Sequence, residues 1–228
     1  MSRQQDSPCH RPLVTVDIII FALREGDLQV LLVRRRRQAP EGMWAIPGGF
    51  VELDEALEAA AVRKLEEETG LHDVYVEQLY TFGDPRRDRS DRLISVAYFA
   101  VVPASSVVPC ATETAERVRW WPIYGLPSLA LDHAQILHYA LTRLRYKLEY
   151  TAVGFELLPE EFTLTELQST YEMVLGEALD KRNFRRKILS AGVIEPSGLQ
   201  RTGEGRPARL YRYREDAVAE VKARRLFP

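Results

Sequence analysis

The chain has 228 residues, of which 46% are hydrophobic and 28% charged, and its formal net charge is −2 at pH 7. The longest apolar run, VDIIIFAL after Thr15, is too short to span a bilayer, and the polar N-terminus lacks a secretion signal. Two cysteines make neither a disulfide framework nor a metal-ligand spacing. We therefore expect a cytosolic protein of two small domains, preceded by a flexible leader at residues 1–12.

A β-hairpin is the first predicted element. Val14 to Leu23 and Leu28 to Arg34 are rich in β-branched and aliphatic residues, and the turn sequence REGD joins them.

A helix of roughly four turns is predicted next. Asp54 and Glu55 place negative charge where it would begin, and Gly70 supplies a left-handed stop. Three residues at four-residue spacing predict its buried stripe: Leu57, Ala61 and Leu65.

Glu67 and Glu68 are predicted to project from another face of this helix, near the loop that contains Gly49. Two adjacent carboxylates and a glycine carbonyl are oxygen ligands of the kind that Mg²⁺ takes when it also binds phosphates. Lys64 lies one helical turn before both acids, so we expect it to pair with Glu67 or Glu68. Its ammonium would oppose a divalent ion and make hydrolysis doubtful.

The stretch GGFVELDEALEAAAVRKLEEETGL fits the pattern G-x5-E-x7-R-E-U-x-E-E-x-G-U at eight of nine defined positions, with U apolar and Lys64 where glutamate is expected. It resembles the Nudix box. The matching residues are Gly49, Glu55, Arg63, Leu65, Glu67, Glu68, Gly70 and Leu71. If a metal binds, the ligands predicted from this resemblance are Gly49, Glu67 and Glu68.

Three more strands, VYVEQLYTF, ISVAYFAVVP and VRWWPI, and a closing helix, DHAQILHYALTRLRYKLEY, complete a first domain at residues 13–150. This mixed order agrees with the α/β/α sandwich that the Nudix resemblance implies.

The charged loop GDPRRDRSDR is similar to a loop of Nudix proteins that handle ADP-ribose, although such a run is otherwise typical of a solvated loop. We therefore predict an effector site for an anionic diphosphate. Its predicted residues are Arg35, Phe50, Glu52, Arg86, Arg87, Asp88 and Arg89.

A second domain is predicted at residues 151–228. Thr163 and Glu166 form a capping box before one helix, and Asp180 caps a second helix, DKRNFRRKILSAG. Two short strands around a glycine turn follow and predict a hairpin. Helix, turn, basic helix and basic hairpin is the order of a small α+β winged helix-turn-helix.

Positive charge is concentrated in this module, because residues 179–214 hold ten lysines and arginines against three acids. Arg182, Asn183 and Arg186 are predicted nearest the base edges, because arginine matches guanine and asparagine matches adenine. The predicted phosphate contacts of the helix are Lys181, Arg185 and Lys187. In the hairpin, the side chains predicted to contact phosphate or an adjacent minor groove are Arg206, Arg209 and Arg212.

The two parts together resemble the Nudix-related transcriptional regulators of NAD metabolism. That resemblance implies a homodimer that binds a palindromic operator on double-stranded DNA and releases it when the Nudix domain binds ADP-ribose or a related NAD-derived nucleotide. No cofactor is required for such sensing, although Mg²⁺ could accompany the nucleotide. Two alternatives stay open: an active ADP-ribose pyrophosphatase with an accessory winged helix, and an RNA-processing Nudix protein, which lacks support from exposed aromatic residues.

Overall fold

The first half of the chain is built on a six-stranded mixed sheet. The structure is a computed structural model that describes residues 11–35, 43–72, 74–102, 115–150, 153–202 and 207–217. The strands are β1 (Leu13–Arg24), β2 (Asp27–Arg35), β3 (Gly48–Phe50), β4 (Glu77–Phe82), β5 (Leu93–Val101) and β6 (Ala115–Pro122). Their order is β4-β5-β1-β2-β6, with β3 also paired to β1, and β1 runs parallel to β5.

The hairpin of β1 and β2 turns at Glu25 and Gly26, whose φ angles are 53° and 78°. Two successive positive φ values produce a turn whose twist matches that of the flanking strands. The hairpin predicted from the sequence is therefore confirmed.

Helices cover both faces of the sheet: α1 (Leu57–Thr69) lies on one and α2 (His133–Tyr150) on the other. Successive strand side chains point to opposite faces, so Ile18 and Ile20 of β1 pack with α1, whereas Ile19 and Phe21 pack with α2. This confirms the α/β/α sandwich.

The C-terminal part consists of α3 (Val153–Glu156), α4 (Leu164–Leu175), α5 (Lys181–Ser190), β7 (Ile194–Arg201) and β8 (Ala208–Tyr213), followed by a short 3₁₀ turn at Glu215–Ala217. β7 and β8 form the predicted antiparallel hairpin. The core of the C-terminal part is continuous with that of the sandwich, because Leu148 of α2 belongs to the same apolar cluster as Phe162, Tyr171 and Phe184. None of the helices in the described ranges is long and apolar enough to cross a membrane.

The structure differs from the sequence analysis at the start of one helix and in one additional strand. Helix α1 begins at Leu57 rather than at Asp54 or Glu55, because the Glu55 carboxylate turns back to accept the Glu52 N–H at 3.2 Å and to bind Arg63. Strand β3 was not predicted, since three residues are too few to show a period of two.

Candidate effector site and nucleic-acid interface

Strand β3 brings the glycines of the Nudix-like box against β1. A Cβ atom on Gly48 would lie 2.1 Å from the Val16 carbonyl oxygen, so no other residue fits without moving the backbone. The Gly48 N–H donates to Glu68 Oε2 at 2.9 Å, and Glu68 is only 4% exposed. Glu68 therefore holds the glycine loop to α1. The predicted closeness of Glu68 to this loop is confirmed.

Arg63 joins the acids of the box. Its Nε and Nη2 donate to the two oxygens of Glu55 at 2.6 and 2.5 Å, and its Nη1 donates to Glu67 Oε1 at 3.0 Å. The hydrogen bond from Arg63 lowers the pKa of Glu55 from 4.5 to about 2. Arg63 therefore has a structural role, because it holds two acids of the box together.

Lys64 pairs with Glu67, as predicted. Its Nζ lies 2.7 Å from Glu67 Oε2, and its aliphatic stem covers Gly49, where a Cβ would lie 2.9 Å from Lys64 Cε. Burial opposes ionisation of Glu67, but the hydrogen bonds from Lys64 and Arg63 outweigh it and lower the pKa of this carboxyl. Both oxygens of Glu67 are thus bound to cations of the chain itself.

The predicted metal ligands do not fit a divalent ion in this arrangement. Glu67 binds two cationic side chains, and Glu68 is buried with one oxygen on a backbone N–H. No group of three or more His, Cys, Asp or Glu side chains in the described ranges is arranged to hold a metal ion. A divalent ion about 4 Å from an ammonium would be repelled by roughly 8 kcal/mol at an effective dielectric constant of about 20.

The charged loop before β5 is anchored by a buried ion pair. Arg87, predicted as an effector contact, has a side chain only 1% exposed, and its Nη2 lies 2.8 Å from Asp132 Oδ1 and 3.8 Å from Asp17 Oδ2. His133, which follows Asp132 in the chain, accepts the Ile46 N–H at 2.9 Å through Nδ1. The Arg87 side chain therefore fixes the loop to the start of α2, and its contact with an effector stays a prediction.

The remaining predicted effector residues lie around the N-terminal end of β1. Phe50 of β3 pairs with Thr15 on one side of this strand, and the loop leads into Leu93 of β5 on the other. Phe50 is 58% exposed, and the Arg86 side chain is 90% exposed although it binds Asp84 at 3.1 Å. Glu52 and Arg89 are also exposed, whereas Asp88 accepts the N–H groups of Ser90 and Asp91. The Arg35 side chain lies outside the described residues.

Two side chains of the sandwich complete the C-terminal end of α4. The Tyr124 hydroxyl donates to the carbonyls of Met173 and Val174 at 3.1 and 3.0 Å, and Arg145 Nε donates to Val174 at 3.0 Å. Arg145 Nη2 also donates to the Tyr124 hydroxyl at 3.2 Å. The last carbonyls of a helix have no partner within the helix, so this clamp of Tyr124 and Arg145 joins the two domains by hydrogen bonds.

The two helices of the C-terminal module begin as predicted. Thr163 and Glu166 form the capping box of α4, and the Asp180 side chain accepts the Asn183 N–H at 2.7 Å at the start of α5. Glu172 Oε1 accepts the Leu179 N–H at 2.9 Å and fixes the turn between them. The angle between the helices is therefore set by hydrogen bonds as well as by packing.

Helix α5 buries Phe184 and Ile188 and presents its basic side chains on the outside. Lys181, Arg182, Asn183 and Arg186 are exposed, and Arg186 Nη2 donates to Asn183 Oδ1 at 2.8 Å. Arg185 and Lys187, both predicted to contact DNA phosphates, are half-buried. Arg185 donates to Thr165 Oγ1 at 3.2 Å.

The hairpin adds exposed arginines beside α5. Arg209 is exposed, and Arg212 lies 2.7 Å from Glu195 on the paired strand. Arg201 pairs with Glu166 of the capping box, so the hairpin is tied to the start of α4. Arg206 lies outside the described residues. The exposed positive side chains of the module thus come from α5 and the hairpin, as the sequence predicts.

Comparisons with known proteins match both parts of the chain. Residues 12–141 match a family model for the NUDIX domain, and residues 154–213 match one for the NrtR DNA-binding winged helix domain. The "ADPR responsive transcriptional repressor NtrR" of Acinetobacter baylyi is 39% identical over 217 residues, which are 93% of this chain and 86% of that protein. The chain belongs to the NrtR family.

Solved structures of the NrtR family agree with this fold. Shewanella oneidensis NrtR complexed with a 27mer DNA is 37% identical, with a TM-score of 0.76 over 93% of this chain and 96% of that one. The NUDIX domain of the same protein complexed with ADP ribose is 35% identical, with a TM-score of 0.54 over 62% of this chain and 94% of that one. Nudix domains generally use divalent metal ions, which makes the unsuitable arrangement around Lys64 informative.

Several residues that organise the site carry no local sequence signal. Asp17 lies inside an apolar strand and Asp132 at a helix start, and only the tertiary structure brings both to Arg87. Tyr124 and Arg145 are likewise unremarkable in sequence.

Proposed function

We propose that the protein is a transcriptional repressor that binds an operator through its winged helix and releases it when the Nudix domain binds ADP-ribose or a related NAD-derived nucleotide. One combination of features carries this proposal: the exposed basic face of α5, and a Nudix box in which the Lys64 ammonium forms an ion pair with the Glu67 carboxylate. The relatives named above, a repressor responsive to ADP-ribose and a DNA complex of the same family, support it. In this proposal the regulated genes are those of NAD biosynthesis or salvage, or genes related to them.

In this proposal residues 13–150 form the effector domain and residues 151–228 the DNA-binding domain, in a homodimer that acts in the bacterial cytosol. Helix α5 enters the major groove, where Arg182, Asn183 and Arg186 face the bases. The bond between Arg186 and Asn183 orients both side chains before DNA arrives. Two half-sites of a palindrome, about 34 Å or a multiple of it apart, match the two α5 helices of the dimer.

Effector binding reaches the DNA-binding domain through α2. Asp132, directly before its first residue, binds Arg87 of the charged loop, and its last turns contact α4 through Arg145. If ADP-ribose binds one arrangement of the dimer more tightly than another, a shift of α2 moves α4 and α5 and changes the spacing of the recognition helices. Sensing requires no cofactor, and a magnesium ion carried in with the nucleotide is the alternative.

The test begins with full-length protein and a pool of random duplexes, from which bound sequences are selected. We expect a palindromic consensus, and we expect the fluorescence anisotropy of that duplex to fall when ADP-ribose is added to saturation. Unchanged operator affinity across the titration would exclude nucleotide-controlled release. The remaining carboxylates Glu67 and Glu68 keep the alternative of an active ADP-ribose pyrophosphatase in view, and rapid Mg²⁺-dependent formation of AMP would favour that enzyme.

A further inference from the structure

The surroundings of the Lys64 ammonium coincide with the predicted metal ligands. Its Nζ lies 2.7 Å from Glu67 Oε2, and its stem runs over Gly49, where a Cβ would be 2.9 Å from Lys64 Cε and 3.5 Å from Nζ. Glu67 and Gly49 are two of the three groups that a metal-binding box would offer. The ammonium is therefore held where the charge of a divalent ion would otherwise be placed.

The two cations of the box differ in how firmly they are held. Arg63 spans Glu55 and Glu67 with three hydrogen bonds shorter than 3.1 Å, so it cannot turn toward a ligand without breaking them. Lys64 makes a single hydrogen bond among those described, to Glu67, and its side chain is 20% exposed. An ammonium has three N–H donors on a flexible stem, so Lys64 can hold Glu67 and still donate to a phosphate oxygen.

We infer that Lys64 is the resident counter-cation of the effector site, so that the diphosphate of ADP-ribose binds without a divalent metal ion. This inference rests on the proposed function, because it concerns the same effector. The ammonium supplies positive charge to the diphosphate but holds no activated water, which separates binding from cleavage. Repression then responds to the nucleotide concentration and not to free Mg²⁺.

Calorimetric titration of the full-length protein with the non-hydrolysable α,β-methylene analogue of ADP-ribose tests the inference, because residual hydrolysis cannot consume this ligand. Titrations are run in EDTA and in excess Mg²⁺. We expect the affinity of the wild-type protein to be the same within about twofold in the two buffers. If the analogue binds only with Mg²⁺, the inference is wrong while the proposed sensing stands. If neither the analogue nor ADP-ribose itself binds in either buffer, the proposed function fails.

Three substitutions of Lys64 separate charge from shape. Lys64→Gln should weaken binding about ten- to a hundredfold, because it removes a charge-assisted hydrogen bond, and Mg²⁺ should not restore it. Lys64→Arg keeps the charge and should stay within about threefold of the wild type. Lys64→Glu should bind least in EDTA and regain affinity when Mg²⁺ is added. Circular dichroism shows whether each variant is folded. Unchanged affinity in folded Lys64→Gln would overturn the inference. If a variant does not fold, the titrations of the wild-type protein in EDTA and in Mg²⁺ still decide.

Discussion

The clamp between the domains makes a quantitative prediction for Tyr124→Phe. The substitution keeps the ring but removes a hydroxyl that donates to the carbonyls of Met173 and Val174 and accepts from Arg145. The substitution removes the hydroxyl's hydrogen bond, which the two carbonyls share, and the bond that it accepts from the charged Arg145. A hydrogen bond of this kind contributes about 0.5–1.5 kcal/mol to stability, and one to a charged group somewhat more. We therefore expect the link between the sandwich and α4 to weaken by about 1–2 kcal/mol.

This loss is comparable to a typical allosteric coupling free energy of about 1–3 kcal/mol. The coupling is measured as the ratio of operator dissociation constants with and without saturating ADP-ribose, by fluorescence anisotropy. In Tyr124→Phe we expect this ratio to fall about 5- to 30-fold relative to the wild type.

The matched control is Tyr146→Phe, because Tyr146 follows the clamp residue Arg145 on α2 and is 55% exposed. It should leave the ratio unchanged. Thermal unfolding of both variants shows whether stability alone has changed. A Tyr124→Phe protein that is less stable but has the wild-type ratio would refute the reasoning, since the clamp would then hold the domains together without transmitting the signal.

Three further predictions concern the DNA interface and the box. Arg182→Ala should cost about 1–3 kcal/mol of operator affinity and relax the preference at one base pair, whereas Arg143→Ala, exposed on α2, should change neither in a binding titration. Lys181→Ala should weaken all sequences alike and reduce the slope of log affinity against log salt by about 0.9; an unchanged slope would place Lys181 away from phosphate. Because the pKa of Glu55 is lowered from 4.5 to about 2, its ion pair stabilises fully above the first value and is lost as pH falls toward the second. Thermal melts over this acid range should therefore show a smaller loss of stability in Glu55→Gln than in the wild type or in Glu177→Gln, and equal losses would contradict this assignment.

Sequence reasoning succeeded where local rules decide the structure. The left-handed stop at Gly70, the capping box of Thr163 and Glu166 and the cap at Asp180 are each formed by residues within a few positions of one another. Lys64 could be paired with Glu67 for the same reason, since residues three apart share one helix face.

It gave no guidance where the partner is distant in sequence. Arg87 lies in a run of alternating charges, for which a solvated loop is the natural prediction, yet Asp132 from 45 positions away buries it. The caps of α4 divide in the same way: its N-terminal cap is local and could be predicted, whereas Tyr124 and Arg145 of the clamp are 50 and 29 positions from Val174. A single sequence gives no information about such pairs.

The ion pairs within the winged helix have a consequence for how the protein searches a genome. Arg201 is bound to Glu166 and Arg212 to Glu195, so part of the positive charge of the winged helix is already neutralised by carboxylates of the same module. In the proposed DNA complex, a phosphate that contacts either arginine must replace a carboxylate, and random DNA offers little beyond phosphates to drive that exchange. Non-operator sequences, which outnumber the operator by about a millionfold or more, therefore retain fewer copies of the protein, and a small number of molecules suffices to find and occupy the operator.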